Sequence, residues 1–253
     1  MKISGNTILI TGGGSGIGKA LAEQFHAKGN NVVIAGRNVA ALEAVASANP
    51  GMSWLALDIG DAASIQGFAS ELIARHPDLN IVLNNAGIME LEDLRAAPGN
   101  LDVAERTIAT NLLGPIRLTS ALLPHLQRQP SSSVIMVSSG LAFVPLAVTP
   151  TYSATKSAIH AYAMSLRHQL RDSPVEVIEI VPPYVQTELQ GEHQAHDPRA
   201  MPLAEFIEEV VAIIEADPAV EEVVVERCNP LRYAVRDGIF DQVFAGLNAH
   251  APD

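Results

Sequence analysis

The feature that most limits what this chain can fold into is the alternation of two hydrophobic periods. Short, mainly apolar runs rich in β-branched residues recur at 7–11, 32–35, 54–57, 81–83, 134–137, 175–181 and 220–225. Such runs predict about seven strands. Between them lie stretches whose apolar residues fall three and four apart, such as Ile17, Leu21 and Phe25, or Ile65, Phe68, Leu72 and Ile73. That spacing gives a helix one buried stripe. Strands that are apolar on both faces need cover on both, and each parallel crossover lays a helix over one of them. The expected architecture is therefore α/β, a doubly wound parallel sheet with helices on both faces.

No fixed-period repeat, low-complexity tract or Pro/Ser-rich linker interrupts the rhythm, so 1–253 reads as one domain. With 253 residues, 48% of them hydrophobic, the chain can bury a large core. Its 16 basic against 28 acidic side chains give a formal charge of -12. Without a basic patch, that balance repels nucleic acid and anionic lipid. The single cysteine, Cys228, excludes an intramolecular disulfide, a paired-thiol redox motif and a Cys-based zinc site. It reads as a packed side chain at the last strand, and the compartment expected is the cytoplasm. The apolar stretch 8–10 is too short for a secretory core. The stretch 141–148 contains Pro145 and falls well short of the ~20 residues that span a bilayer, so no membrane partner is expected.

Segment 186–202 lacks either period and holds Gly191, His193, His196, Asp197, Pro198 and Arg199. It reads as a flexible lid over a substrate, the other reading being a solvated connection. His193, His196 and Asp197 do not follow the His-Glu-x-x-His spacing of a zinc helix, and no metal is expected.

The first strand runs straight into Thr11-Gly12-Gly13-Gly14-Ser15-Gly16-Ile17-Gly18 and then into a helix. A turn of this kind lets backbone N–H groups and a helix N-terminus face a phosphate; a purely structural turn is the alternative. G-x-G-x-x-G cannot be drawn through these glycines. A phosphate-binding P-loop is excluded as well, because Gly18-Lys19 is followed by Ala20 where Ser or Thr should ligate magnesium. The spacing that fits is Thr11-Gly12-x-x-x-Gly16-x-Gly18, and with it the sequence resembles the short-chain dehydrogenase/reductase family. The resemblance implies a single-domain Rossmann-type fold and a dinucleotide at this turn, contacted by Gly12, Ser15, Gly16, Ile17 and Gly18.

After the second strand stand Arg37 and Asn38, where an acid would bind an adenosine ribose hydroxyl and an arginine accommodates a 2′-phosphate. Arg37 favours NADP(H) over NAD(H); a solvated loop charge is the other reading. Ser15 stands where some NADP-dependent relatives carry a second basic residue. Asp58-Ile59 matches the family pair at adenine, and Asn84-Asn85-Ala86-Gly87 matches its NNAG motif, which places Asn85, Ala86 and Gly87 beside the cofactor.

Tyr152-Ser153-Ala154-Thr155-Lys156 matches the family's Tyr-x-x-x-Lys. On a helix the two side chains share a face. A phenol titrates near ~10 when unperturbed, and Lys⁺ together with a positive nicotinamide ring would pull it toward neutrality. Ser139 lies 13 residues before Tyr152, the family's separation, and Asn111 falls where the family has its fourth member. The resemblance then implies that Tyr152 moves the proton and Ser139 steadies the substrate oxygen. Lys156 would bind the nicotinamide ribose, and Asn111 would hold a helix distortion and a water relay. Pro182, Val185 and Thr187 resemble the segment that closes on the nicotinamide, with Pro183 replacing its glycine and stiffening it.

The C-terminal part, with 201–207 and the run after 220, resembles a little-characterised bacterial branch that includes oxidoreductases encoded with lipoteichoic-acid alanylation genes. It lacks the glycine-rich ending that many relatives use at a tetramer interface, so a homodimer is expected. The function implied is hydride transfer between NADP(H) and a carbonyl or secondary alcohol. The alternative is a non-catalytic NADP(H)-binding redox sensor on the same fold. Leu141, Phe143, Val144, Leu146 and Val148 are expected to flank a partly apolar substrate pocket, with Tyr184 and the lid adding polar groups.

Overall fold

A computed structural model describes residues 1–95 and 101–249. The first half of the sheet is built by β1 (Thr7–Thr11), α1 (Gly16–Ala27), β2 (Asn31–Gly36), α2 (Val39–Ala48), β3 (Ser53–Ala56) and α3 (Ala62–Arg75). β4 (Leu79–Asn84) then leads to α4 (Asp102–Ile108) and α5 (Gly114–Leu126), joined by a π-helical segment at Ala109–Leu113. The second half comprises β5 (Ser132–Val137), α6 (Pro150–Leu170), β6 (Val175–Val181), α7 (Glu192–Ala195), α8 (Leu203–Ala216), β7 (Glu222–Val224), α9 (Asn229–Arg232) and α10 (Phe240–Asn248).

All strands pair in parallel in the order β3-β2-β1-β4-β5-β6-β7, the Rossmann-type arrangement. Alternate side chains of each strand enter opposite layers. Ile8 and Ile10 join Leu21, Phe25 and Phe206 on one face, while Leu9 joins Ile65, Phe68, Leu72 and Leu118 on the other. The seven expected strands are all present. The last is shorter than its apolar run, because only Glu222, Val223 and Val224 pair with β6. Strand order reverses between β1 and β4, so their carboxyl ends open a crevice, the place where such sheets bind ligands. Among the described residues no helix is long and apolar enough to cross a membrane.

Candidate active site

The crevice is built by turns that close on one another. Thr11 Oγ1 accepts from the N–H groups of Asn85 (3.0 Å) and Ala86 (3.1 Å), and Asn85 Nδ2 donates to the Thr11 carbonyl at 3.0 Å. This clasp fixes the β1 turn against the β4 turn. Gly12 has φ +70°, and a Cβ there would lie 2.8 Å from Asn85 Nδ2. A Cβ on Gly18 would lie 2.4 Å from both the Gly12 carbonyl oxygen and Asn85 Nδ2. Glycine is thus required by close approach of backbone to backbone. α1 starts at Gly16 with no side-chain cap from Ser15 and no acid in its first turn. Its positive end is left for an anion.

Gly12, Ser15, Gly16 and Ile17 face Asn85, Ala86 and Gly87 in a cleft of about 440 Å³, which Ser139, Tyr152, Lys156, Pro182, Val185 and Thr187 close from the other side. Past Gly12 and Ser15 the cleft continues as a groove along Arg37, Asn38, Ile59 and Gly87. Three expected site residues lie off these walls. Gly18 sits beneath the turn. Asp58 Oδ1 accepts from Gly60 N–H at 2.9 Å, closing its own loop. Asn111 is buried, and it clasps Ile88 by accepting from its N–H (2.9 Å) and donating to its carbonyl (2.8 Å). Asn38 reaches the groove while its side chain caps α2 through Ala41 N–H at 3.1 Å. The cradle fits an elongated dinucleotide: a glycine floor that a Cβ would fill, a helix N-terminus for the diphosphate, and Arg37 at one end.

Tyr152 and Lys156 stand one turn apart near the start of α6, which Pro150 opens at a position where a missing N–H costs nothing. Lys156 Nζ donates to the Val137 carbonyl at 2.8 Å and lies 5.5 Å from the centre of the Tyr152 ring. Ser139 follows the end of β5, where its Oγ accepts from Leu141 N–H at 3.1 Å. Burial pushes the Tyr152 phenol up to about 12, with the Ser139 hydrogen bond working the other way. Burial likewise pushes Lys156 down to about 8, opposed by the charge of Glu179. Lys⁺ together with a positive nicotinamide ring is expected to draw the phenol toward neutrality. The protein's own groups move it the opposite way, because desolvation of the phenolate outweighs what surrounds it.

The helix distortion expected at Asn111 is the π-helical segment Ala109–Leu113, whose one buried residue is Asn111. Beyond Ser139 and Tyr152 a second cavity of about 570 Å³ opens, walled by Leu141, Leu146, Val148, Leu231 and Leu247. The two cavities share Ser139, Tyr152, Pro182 and Pro183, so the hydroxyls stand at their junction. Phe143 and Val144 do not flank this pocket. Val144 is fully buried, and Phe143 packs edge-on against His160 with its ring centre 4.8 Å away. At the mouth, Tyr184 donates to Asp197 Oδ2 at 3.2 Å, and Asp197 also takes the Arg199 guanidinium at 2.7 Å. Arg199 holds the Asp197 carboxyl well below the usual range. Segment 186–202 holds α7 and joins the body through a bridge between Val185 and Met201. Cys228 is a buried, packed side chain, and burial pushes its thiol up to about 12, away from the thiolate.

Sequence reasoning missed several contributors. In sequence Thr11 stands only as part of the turn motif. The Val137 carbonyl that seats Lys156 carries no side-chain signal at all. Gly246 and Leu247 of α10 line the apolar cavity, held there by Asn248, which accepts from Ala147 N–H at 2.6 Å and donates to the Pro145 carbonyl at 3.2 Å. Glu188 lines both stretches of the nucleotide cleft.

Comparison with known proteins agrees with this geometry. The family model of the short chain dehydrogenases matches residues 6–198. The chain is 37% identical over 251 residues to an uncharacterized oxidoreductase, DltE, of Bacillus subtilis, with 98% of each chain covered. The expected likeness to that bacterial branch therefore extends through the C-terminal part. Among solved structures, an alcohol dehydrogenase from the archaeon Thermococcus sibiricus, complexed with 5-hydroxy-NADP, is similar with a TM-score of 0.77 and 25% identity, over 86% of this chain and 94% of that one. A 3-ketoacyl-(acyl-carrier-protein) reductase from Brucella melitensis, complexed with NADH, shares the fold with a TM-score of 0.78 and 23% identity, over 90% of this chain and all of the other. Glycine turn, NNAG clasp, buried Tyr-x-x-x-Lys pair and family match together make this chain a member of the short-chain dehydrogenase/reductase family.

Proposed function

We propose that the protein is an NADP(H)-dependent oxidoreductase that interconverts a carbonyl and a secondary alcohol on a small to medium, partly apolar substrate. The observation that carries this reading is the position of Ser139 and Tyr152, at the junction between a dinucleotide-shaped cleft and an apolar cavity, with Lys156 behind them. NADP(H), when bound, supplies or takes the hydride. Gly12, Ser15, Gly16, Ile17 and the α1 N-terminus would hold its diphosphate, Arg37 its 2′-phosphate, and Asn85, Ala86, Pro182, Val185 and Thr187 its nicotinamide half. Nucleotides of both kinds are bound by the solved relatives, so the preference for NADP(H) rests on Arg37 and on the lack of an acid after β2.

Held up to about 12 by burial, the Tyr152 phenol stays protonated at neutral pH and serves as proton donor in reduction. Ser139 donates a hydrogen bond to the substrate oxygen, where negative charge grows. Lys156 at about 8 is still mostly cationic at pH 7. Its charge stabilises the phenolate left behind, and its remaining N–H groups would hold the nicotinamide ribose. Asn111 holds Ile88, and through it one wall of the cleft. Segment 186–202 acts as the lid, and the protein works as a cytoplasmic homodimer.

The test is NADPH oxidation by purified protein over a panel of ketones, aldehydes and quinones, run beside NADH. Turnover of a partly apolar carbonyl with preference for NADPH is the expected result. Tight NADPH binding with no turnover across the panel would point to the sensor reading instead.

A further inference from the structure

Behind the Tyr152–Lys156 pair lies a buried polar cluster that the proposed chemistry does not use. His160 follows Lys156 by one helical turn on α6, on the same face. Its Nδ1 lies 2.7 Å from Glu179 Oε2. Glu179 is fully buried in β6 and pairs with Met136, the neighbour of the Val137 carbonyl that seats Lys156. Among the described residues Glu179 Oε1 has no hydrogen-bond partner. A buried carboxylate with one oxygen left unbonded is destabilising, so its retention calls for a compensating charge.

Two readings compete. His160, Glu179 and Glu222 place ligand atoms within 4.8 Å of one another, as a metal would need. Yet the Glu222 carboxylate already receives the Arg232 guanidinium through Nε at 2.8 Å and Nη2 at 3.0 Å. Arg232 in turn stacks over the Phe143 ring at 4.5 Å, so a fixed guanidinium stands where a metal would have to displace it. The alternative is that Glu179 serves Lys156: it pairs with Met136, next to the Val137 carbonyl on which Lys156 sits, and its charge opposes the effect of burial there.

We propose that Glu179, aligned by His160, is a positioning residue that keeps the buried Lys156 ammonium charged and seated on the Val137 carbonyl, behind Tyr152. The groups around this pair are Tyr152, His160 and Arg167 on α6, Ser139 after β5, Glu221 and Glu222 at β7, Cys228, and Arg232 and Tyr233 at α9. Glu222 and Arg232 neutralise each other, and Arg167 pairs with Glu221 at 3.5 Å. Glu179 is left as the fully buried anion next to the Lys156 seat, its charge acting on Lys156 and also on Arg232. The proposal rests on the assignment of Lys156 to the reaction.

The chain has four lysines, Lys2, Lys19, Lys28 and Lys156. Carbon-13 labelled lysine therefore gives a sparse NMR spectrum, in which Lys156 is identified by the signal missing from Lys156→Arg. In the protein without nucleotide, Glu179→Gln is expected to lower the Lys156 titration midpoint by at least about one pH unit, the scale of a lost opposite charge. Glu179→Asp, which restores the charge, is expected to recover at least half of that shift. A folded Glu179→Gln with the wild-type midpoint, or an Asp variant displaced as far as Gln, overturns the proposal. Should Glu179→Gln fail to fold, His160→Ala decides: without the ring that aligns Oε2 the carboxylate loses its hold on Lys156, and the lysine midpoint falls. No fall overturns the idea. In kinetics, the alkaline limb of kcat/KM for reduction shifts down with Glu179→Gln, whereas a merely structural role lowers activity equally at all pH. If no carbonyl is turned over, the functional reading fails while the lysine titration still decides this one.

Discussion

Two glycines inside helices make opposite predictions that follow directly from the geometry. Gly18 lies in α1, where an added Cβ would come within 2.4 Å of the Gly12 carbonyl oxygen and of Asn85 Nδ2, and within 2.8 Å of the Gly12 carbonyl carbon. Atoms in contact sit about 3.5 Å apart, so Gly18→Ala must push α1 and the turn apart by about 1 Å. Overpacking of this kind costs about 1–3 kcal/mol, of which alanine's better helix propensity returns up to about 1. A net loss of about 1–2 kcal/mol lowers the Tm by about 2–8 °C for a chain of this size. The displaced α1 N-terminus also loses its aim at the diphosphate, and NADPH affinity falls at least about tenfold, a change of about 1.4 kcal/mol. Among the described residues nothing lies within 4 Å of a Cβ added at Gly67 in α3. Gly67→Ala therefore gains up to about 1 kcal/mol and leaves NADPH binding unchanged. Thermal melting followed by circular dichroism, with NADPH titration by fluorescence, reads both. A Gly18→Ala protein that melts at or above wild type and binds NADPH equally well would refute the close-approach argument.

Three further outcomes are expected. Arg37→Ala raises the Kd for NADPH at least about tenfold and changes that for NADH by less than twofold, measured by calorimetry, since only the 2′-phosphate loses a partner. Asn111→Ala strands the Ile88 N–H and carbonyl that its side chain clasps, and lowers stability by about 1–3 kcal/mol in urea unfolding. Leu146→Trp fills part of the apolar cavity and raises KM for bulky carbonyls, with NADPH affinity unchanged.

The sheet was legible because its strands are buried on both faces, and residues such as Ile8, Leu9 and Ile10 then announce a strand whatever their neighbours do. The glycine turn and the Tyr152–Lys156 pair were legible because each is local, a few residues of one turn or one helix face. What could not be read depends on packing. Phe143 and Val144 look like Leu141 and Leu146 in sequence, yet the turn at 140–142 sends Val144 into the interior and Phe143 onto His160. The π-helical segment around Asn111 follows from a change of hydrogen-bond register, to which single-residue propensities are blind. The phenol's upward displacement depends on burial that no local pattern announces. His160, Glu179, Glu222 and Arg232 are far apart in sequence, and only the β5–β6–β7 register gathers them.

The central claim, that Tyr152 is the proton donor at a working hydride-transfer site, is tested most directly by single-turnover oxidation of bound NADPH. Wild type is compared with Tyr152→Phe at saturating carbonyl. The account predicts that the variant binds NADPH within about twofold of wild type while its turnover rate falls at least about 100-fold. A Tyr152→Phe protein that oxidises bound NADPH at the wild-type rate would contradict it.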